Sequence, residues 1–218
     1  MVKNKRDGRR KSRDESFNRR VPKLGFYLIA TDAKKTEVNY IQGFKQSIPE
    51  NLQEKIIIKT LNDIPSDQLV DAVLEEASLY AQYAEKWIVL DRDRVPNFDK
   101  IIEYAQAKGV KAGWSNPCIE IWFRAHYGSM PICHESTKCW KEFKKIFEKE
   151  TSIEYDKADK TIYKRLTETG DENKAFEIAE QRYNEYKNDN VTKPSQMLSA
   201  TTLHNLIYEI KKKVDKES

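Results

Sequence analysis

Cysteine is scarce in this chain, three in 218 residues. Cys118, Cys133 and Cys139 cannot all pair, so no disulfide framework is built from them, and free thiols suit a reducing cytosol. A zinc site from Cys133, His134 and Cys139, completed by His126 or Cys118, matches no standard spacing. No apolar run approaches the ~18 residues of a membrane span. The basic N-terminus is followed by no apolar segment of the secretory type. No Gly-x-x-x-x-Gly-Lys-Ser/Thr is present, so any nucleotide hydrolysis would fall to an ATPase partner chain. Internal repeats are missing as well. The expectation is a cytoplasmic protein with no membrane partner.

What the chain has in quantity is charge: 34% of residues are charged against 39% hydrophobic, and the net charge is +4. Residues 1–24 hold ten basic and three acidic side chains, net +7, so the remainder is net −3. This lead-in reads as a mobile arm. Arg9, Arg10, Lys11, Arg13, Arg19 and Arg20 are its candidates for phosphate contact with DNA or RNA. A solvated tail that aids solubility is the alternative. The length suits one large domain, or one domain with a helical extension.

Strand and helix signals alternate after the arm. Apolar runs at 25–31, 56–60 and 87–93 and a shorter one at 110–115 read as strands. Helically spaced residues Tyr40, Ile41, Phe44 and Ile48, then Leu69, Val73, Leu74 and Ala77, then Ile101, Ile102 and Ala105 fill the intervals. This pattern predicts an α/β fold, a small parallel sheet of about four strands flanked by helices. From about residue 136 only helical spacing remains: Trp140, Phe143, Ile146 and Phe147, then Ala175 to Ala179, then Leu203 to Ile210. The expected organisation is arm 1–24, α/β core 25–135 and helical C-terminal region 136–218.

The run Trp87-Ile88-Val89-Leu90 ends in Asp91-Arg92-Asp93. Ligands of parallel sheets bind beyond the carboxyl ends of the strands. Residues two apart on an extended segment point the same way, so two hard oxygen donors share one side, as Mg²⁺ or Mn²⁺ requires. A solvated turn or salt-bridged loop is the plainer alternative. Asp32 closes the first strand. Glu120, after Asn116-Pro117, falls in the first turn of a helix among Ile119, Ile121, Trp122 and Phe123. It either complements the helix dipole or serves the same site. Neighbouring strand ends lie about 5 Å apart, so these acids can share one metal.

With these segments in place the chain resembles the RloB-like family, found with bacterial restriction and phage-defence loci. That family has a basic lead-in and a strand closing on a Cys-Glu-Gly-Glu-Lys-Thr-Glu-like motif with an Asn-Tyr pair. Here the region reads Thr31-Asp32-Ala33-Lys34-Lys35-Thr36-Glu37, then Val38-Asn39-Tyr40. Its Asp-Arg-Asp matches Asp91-Arg92-Asp93. Its Ser-Asn-Pro-Cys-Phe-Glu-Leu-Trp-like segment matches Ser115-Asn116-Pro117-Cys118-Ile119-Glu120-Ile121-Trp122. Thr202 to Ile207 matches a late segment only loosely. The resemblance implies a Toprim-like fold, with one acid after the first strand and a D-x-D after a later one around a divalent metal. Asp32 then stands where the first Glu is usual and Ala33 replaces a Gly; Glu37 matches the second Glu.

The function so implied is a Mg²⁺- or Mn²⁺-dependent nuclease in bacterial anti-phage defence. Asp32, Glu37, Asp91, Asp93 and Glu120 would be catalytic. Asp32, Asp91, Asp93 and Glu120 would be metal ligands. Lys34, Lys35 and Arg92 would join the arm in meeting DNA or RNA. The alternative is a non-catalytic module that senses nucleic acid or regulates an ATPase partner; an oligomer is compatible with either.

Overall fold

The computed structural model describes residues 22–80, 84–93 and 95–217. The arm residues from Arg9 to Arg20 lie outside these. The first strand, β1 (Gly25–Thr31), leads through a four-residue loop into α1 (Thr36–Ser47). A short α2 (Glu50–Gln53) precedes β2 (Ile56–Leu61), and α3 (Leu69–Tyr80) precedes β3 (Ala84–Asp91). Then come α4 (Phe98–Ala107) and β4 (Lys111–Asn116). The sheet order is β2-β1-β3-β4-β5, and β1 to β4 are parallel.

The sheet is covered on both faces because its central strands are apolar on both. Tyr27 and Ile29 of β1 and Trp87 and Val89 of β3 enter one buried cluster. Phe26, Leu28 and Ala30 with Ile88 and Leu90 enter the other. Alternate side chains point to opposite faces, so an unbroken apolar run demands two covering layers. Val70 and Val73 of α3 and Ile101, Ile102 and Ala105 of α4 close the second face.

The first face is closed by α1 and by the C-terminal helices. These are α5 (Glu120–Ala125), α6 (Ser136–Thr151), α7 (Ile162–Thr169), α8 (Glu172–Asn188) and α9 (Leu203–Asp215). Phe143, Phe147, Leu166, Leu206 and Ile207 belong to the same cluster as Tyr27 and Trp122. No helix among the described residues is long and apolar enough to cross a membrane.

Two details depart from the sequence reading. The expected strand 87–93 begins at Ala84 and ends at Asp91. Beyond it the backbone turns: Arg92 N–H donates to the Ser115 carbonyl (2.9 Å) and Asp93 N–H to that of Pro117 (3.2 Å). The C-terminal region also holds a strand, β5 (Ala200–Thr201), antiparallel to β4. Two residues are too few to show a period of two. The pairing is fixed instead by side chains: Ser115 and Thr201 hydroxyls lie 3.1 Å apart, and Thr202 Oγ1 accepts from Trp114 N–H at 3.1 Å.

Gly43 is where α1 meets α7. A Cβ built there would stand 2.8 Å from Tyr163 Cβ. In an open helix, Gly to Ala stabilises by about 1 kcal/mol. Here overpacking reverses the sign, and Gly43→Ala is expected to cost about 1–3 kcal/mol in urea unfolding. A stabilised variant would show that α7 yields without penalty.

Candidate active site

The chain runs from β1 outward to β2, then crosses back to β3 on the other side of β1. The direction of winding therefore reverses between β1 and β3, and a crevice opens at their carboxyl ends. Asp32 follows β1, and Asp91 ends β3. A cavity of about 380 Å³ lies there, and Asp32, Glu37, Asp91, Asp93 and Glu120 all line it. The structure thus brings the five predicted acids to one place.

Each acid is held differently. Ala33 N–H donates to Thr31 Oγ1 (3.1 Å), which turns the chain after Asp32 toward α1. Glu37 sits in the first turn of α1 and is buried. Asp91 Oδ2 accepts the Ile119 N–H at 3.0 Å, and its carboxyl is hydrogen-bonded to Glu37. Glu120 begins α5 and is only 1% exposed. Its Oε1 accepts from Tyr155 Oη (3.2 Å) and pairs with Lys157 Nζ (3.4 Å). Its Oε2 is buried with no hydrogen-bond partner among the described residues. Asp93, on the turn beyond β3, is exposed.

Burial and crowding dominate the electrostatics. Burial lifts the Glu37 carboxyl to about 7, with Glu120 and Asp32 adding to the rise against the hydrogen bonds that oppose it. Burial also drives Asp91 well above the usual carboxylate range, helped by the charges of Glu37 and Glu120. Carboxyls this close retain a proton between them unless a cation replaces it. Lys157 feels burial pulling it down, yet Glu120 outweighs this and holds it above its ordinary value.

Cys118 also lines the cavity, but its thiol is pushed well up by a hydrogen bond with Cys139 and by burial. It stays protonated and is a poor nucleophile. Among the described residues no group of three or more His, Cys, Asp or Glu side chains is arranged to hold a metal ion. The donor chemistry nevertheless fits a hard divalent cation: every cluster atom is a carboxylate oxygen, and Glu120 Oε2 is desolvated without compensation.

The cationic residues divide. Lys34 and Lys35 line the cavity, Lys34 pairing with Asp63 at 3.2 Å. Arg92 faces a separate cavity on the far side of Asp93. Tyr155 and Lys157 were missed as site residues. They come from the loop between α6 and α7, docked by Thr36 Oγ1 donating to the Lys157 carbonyl (3.2 Å). The sequence there is rich in Tyr and Lys, but nothing in its spacing points at Glu120.

The family model described as RloB-like protein matches residues 27–210. The chain belongs to the RloB-like family. Comparison with curated proteins and with solved structures gives no match. The segments that resemble the family's motifs in this RloB-like chain surround the cavity, and two of them bond to each other. Trp122 Nε1 donates to Tyr40 Oη at 2.7 Å, joining the segment that carries Glu120 to the one that carries Glu37.

The raised carboxyls make stability pH-dependent. A folded carboxyl above its unfolded value binds more protons in the native state, so its contribution is complete below about 4.5 and lost as pH rises through the folded value. For Glu37 the window is about 4.5 to 7, worth up to about 3 kcal/mol. In EDTA the melting temperature should fall between pH 5 and pH 8, and Glu37→Gln should flatten that fall. An equal fall in the variant would show that Glu37 is not the group responsible.

Proposed function

We propose that this chain is a divalent-metal-dependent nuclease, hydrolysing phosphodiester bonds of DNA or RNA, and that it acts in bacterial anti-phage defence. The observation that carries the reading is the convergence of five carboxylates on one crevice at the β1/β3 switch, one of them Glu120 with a buried oxygen left without a partner. Family membership agrees with it.

In this reading Asp32, Asp91, Asp93 and Glu120 hold Mg²⁺ or Mn²⁺. When bound, the cation stabilises charge on the phosphoryl oxygens of the substrate. Glu37, raised to about 7 by burial, is suited to take the proton of an attacking water near neutral pH, because a general base works best near the operating pH. The water oxygen bonds to phosphorus, and the bond from phosphorus to the leaving sugar oxygen breaks. Tyr155 orients Glu120 through its hydroxyl. Lys157, Lys34 and Lys35 meet phosphate oxygens at the cavity mouth.

A second reading is a non-catalytic module that senses nucleic acid or regulates an ATPase partner. It is favoured by one observation: Asp32 stands where the resembling motif has Glu, a methylene shorter, and about 1 Å of misplacement can cost 10²-fold in rate. Binding without cleavage is its signature.

The test is incubation of the purified protein with panels of DNA and RNA, in Mg²⁺, in Mn²⁺ and in EDTA. Cleavage that needs the cation and disappears in Glu120→Gln is expected. Calorimetry should show Mn²⁺ binding that is lost in the double variant Asp91→Asn, Asp93→Asn while folding persists. Undiminished Mn²⁺ binding by that variant would place the metal elsewhere.

A further inference from the structure

Asp93 is a wall between two cavities. One is the acid-lined crevice. The other, about 630 Å³, lies on the opposite side of the β3 end, between the turn after β3, the first turn of α4 and the short 3₁₀ turn Pro194–Gln196. Arg92, Lys100 and Lys193 line it, and all three are exposed. Of the acids there, Asp99 is committed to Ser195, accepting its N–H at 2.8 Å and its hydroxyl at 2.6 Å. That bond pair also fixes the 3₁₀ turn carrying Lys193 against α4. Glu103 and Asp93 are the other acids that line it.

Cations therefore flank the carboxylates on both sides: Lys34, Lys35 and Lys157 on one, Arg92, Lys100 and Lys193 on the other. A mononucleotide or a terminal phosphate needs cations on one side only. A chain with phosphates before and after the reacting bond needs them on both, since phosphate contacts set register along a nucleic acid.

We propose that the two cavities form one groove for a single polynucleotide strand, which crosses the carboxyl end of β3 over Asp93 and is cut internally. This rests on the nuclease reading and adds the path and the mode of attack. Lys100 and Lys193 are then substrate-positioning residues, remote from the acid cluster and bound to phosphates beyond the reacting one.

The test uses the full chain and a fluorescent single-stranded oligonucleotide of about 20 nucleotides, titrated in EDTA at several salt concentrations. Lys100→Ala with Lys193→Ala should weaken affinity and lower the slope of log K against log salt by about 1.4, the loss of two phosphate contacts on a single strand. Lys149→Ala with Lys212→Ala, on helices α6 and α9, should change neither. In the cleavage assay the first pair should raise KM with kcat nearly held, and a closed circular strand should be cut. Unchanged affinity, slope and KM beside a parent that binds and cleaves would overturn the groove and leave the nuclease standing. Cutting confined to free ends would do the same. A parent that neither binds nor cleaves any strand would overturn both.

Discussion

The bond from the Ile119 N–H to Asp91 Oδ2 is the joint on which the rest of the site hangs. It ties the end of β3 to the start of α5 at the one place where the sheet changes its winding direction. Asp91 cannot turn away to solvent without leaving that N–H unpaired, so its carboxyl stays inward, against Glu37. α5 begins at the next residue after Ile119, so the same bond delivers Glu120 into the crevice. Three elements from distant parts of the chain thus meet through one aspartate.

Holding these acids together is costly, and the fold meets the cost by surrounding them with rigid apolar structure. Trp122 is fully buried and bonded to Tyr40, which ties α5 to α1. Gly43 brings α7 close against α1, and the loop before α7 lays Tyr155 and Lys157 over Glu120. The C-terminal region is in this sense part of the site: the loop between α6 and α7 carries the tyrosine and the half-exposed lysine that touch Glu120. Tyr155 and Lys157 both meet Glu120 through Oε1, and they leave Oε2 buried without a hydrogen-bond partner among the described residues.

The parallel core was legible because its strands are apolar on both faces, and unbroken runs such as Trp87 to Leu90 have few other readings. Asp32, Asp91 and Asp93 were legible because they follow those runs, and Glu120 because it stands among apolar residues after Asn116-Pro117; Glu37 came from the family resemblance alone. The fifth strand was not, since Ala200-Thr201 is held by the hydroxyls of Ser115, Thr201 and Thr202 rather than by a hydrophobic period. Tyr155 and Lys157 were hidden for a related reason. Their loop has no regular structure, and its position comes from packing between α6 and α7 and from Thr36, more than a hundred residues away. The basic arm was visible from charge alone. What charge could not show is where the described chain begins: Pro22 and Lys23 lie beside Lys213 and Glu217, at the amino end of β1, opposite the acids.

The Asp-x-Asp spacing also hides a difference that only the strand end explains. Asp91 is the last residue of β3, still under the cover of Glu37 and α5, and burial raises its carboxyl well above the usual carboxylate range. Asp93 lies two residues on, after the backbone has turned to follow Ser115 and Pro117, and it is exposed. One pair of identical side chains therefore contains a half-buried acid that fixes the architecture and an exposed one that lines both cavities. The early stop after Asp91 is what places an exposed acid where the two cavities meet.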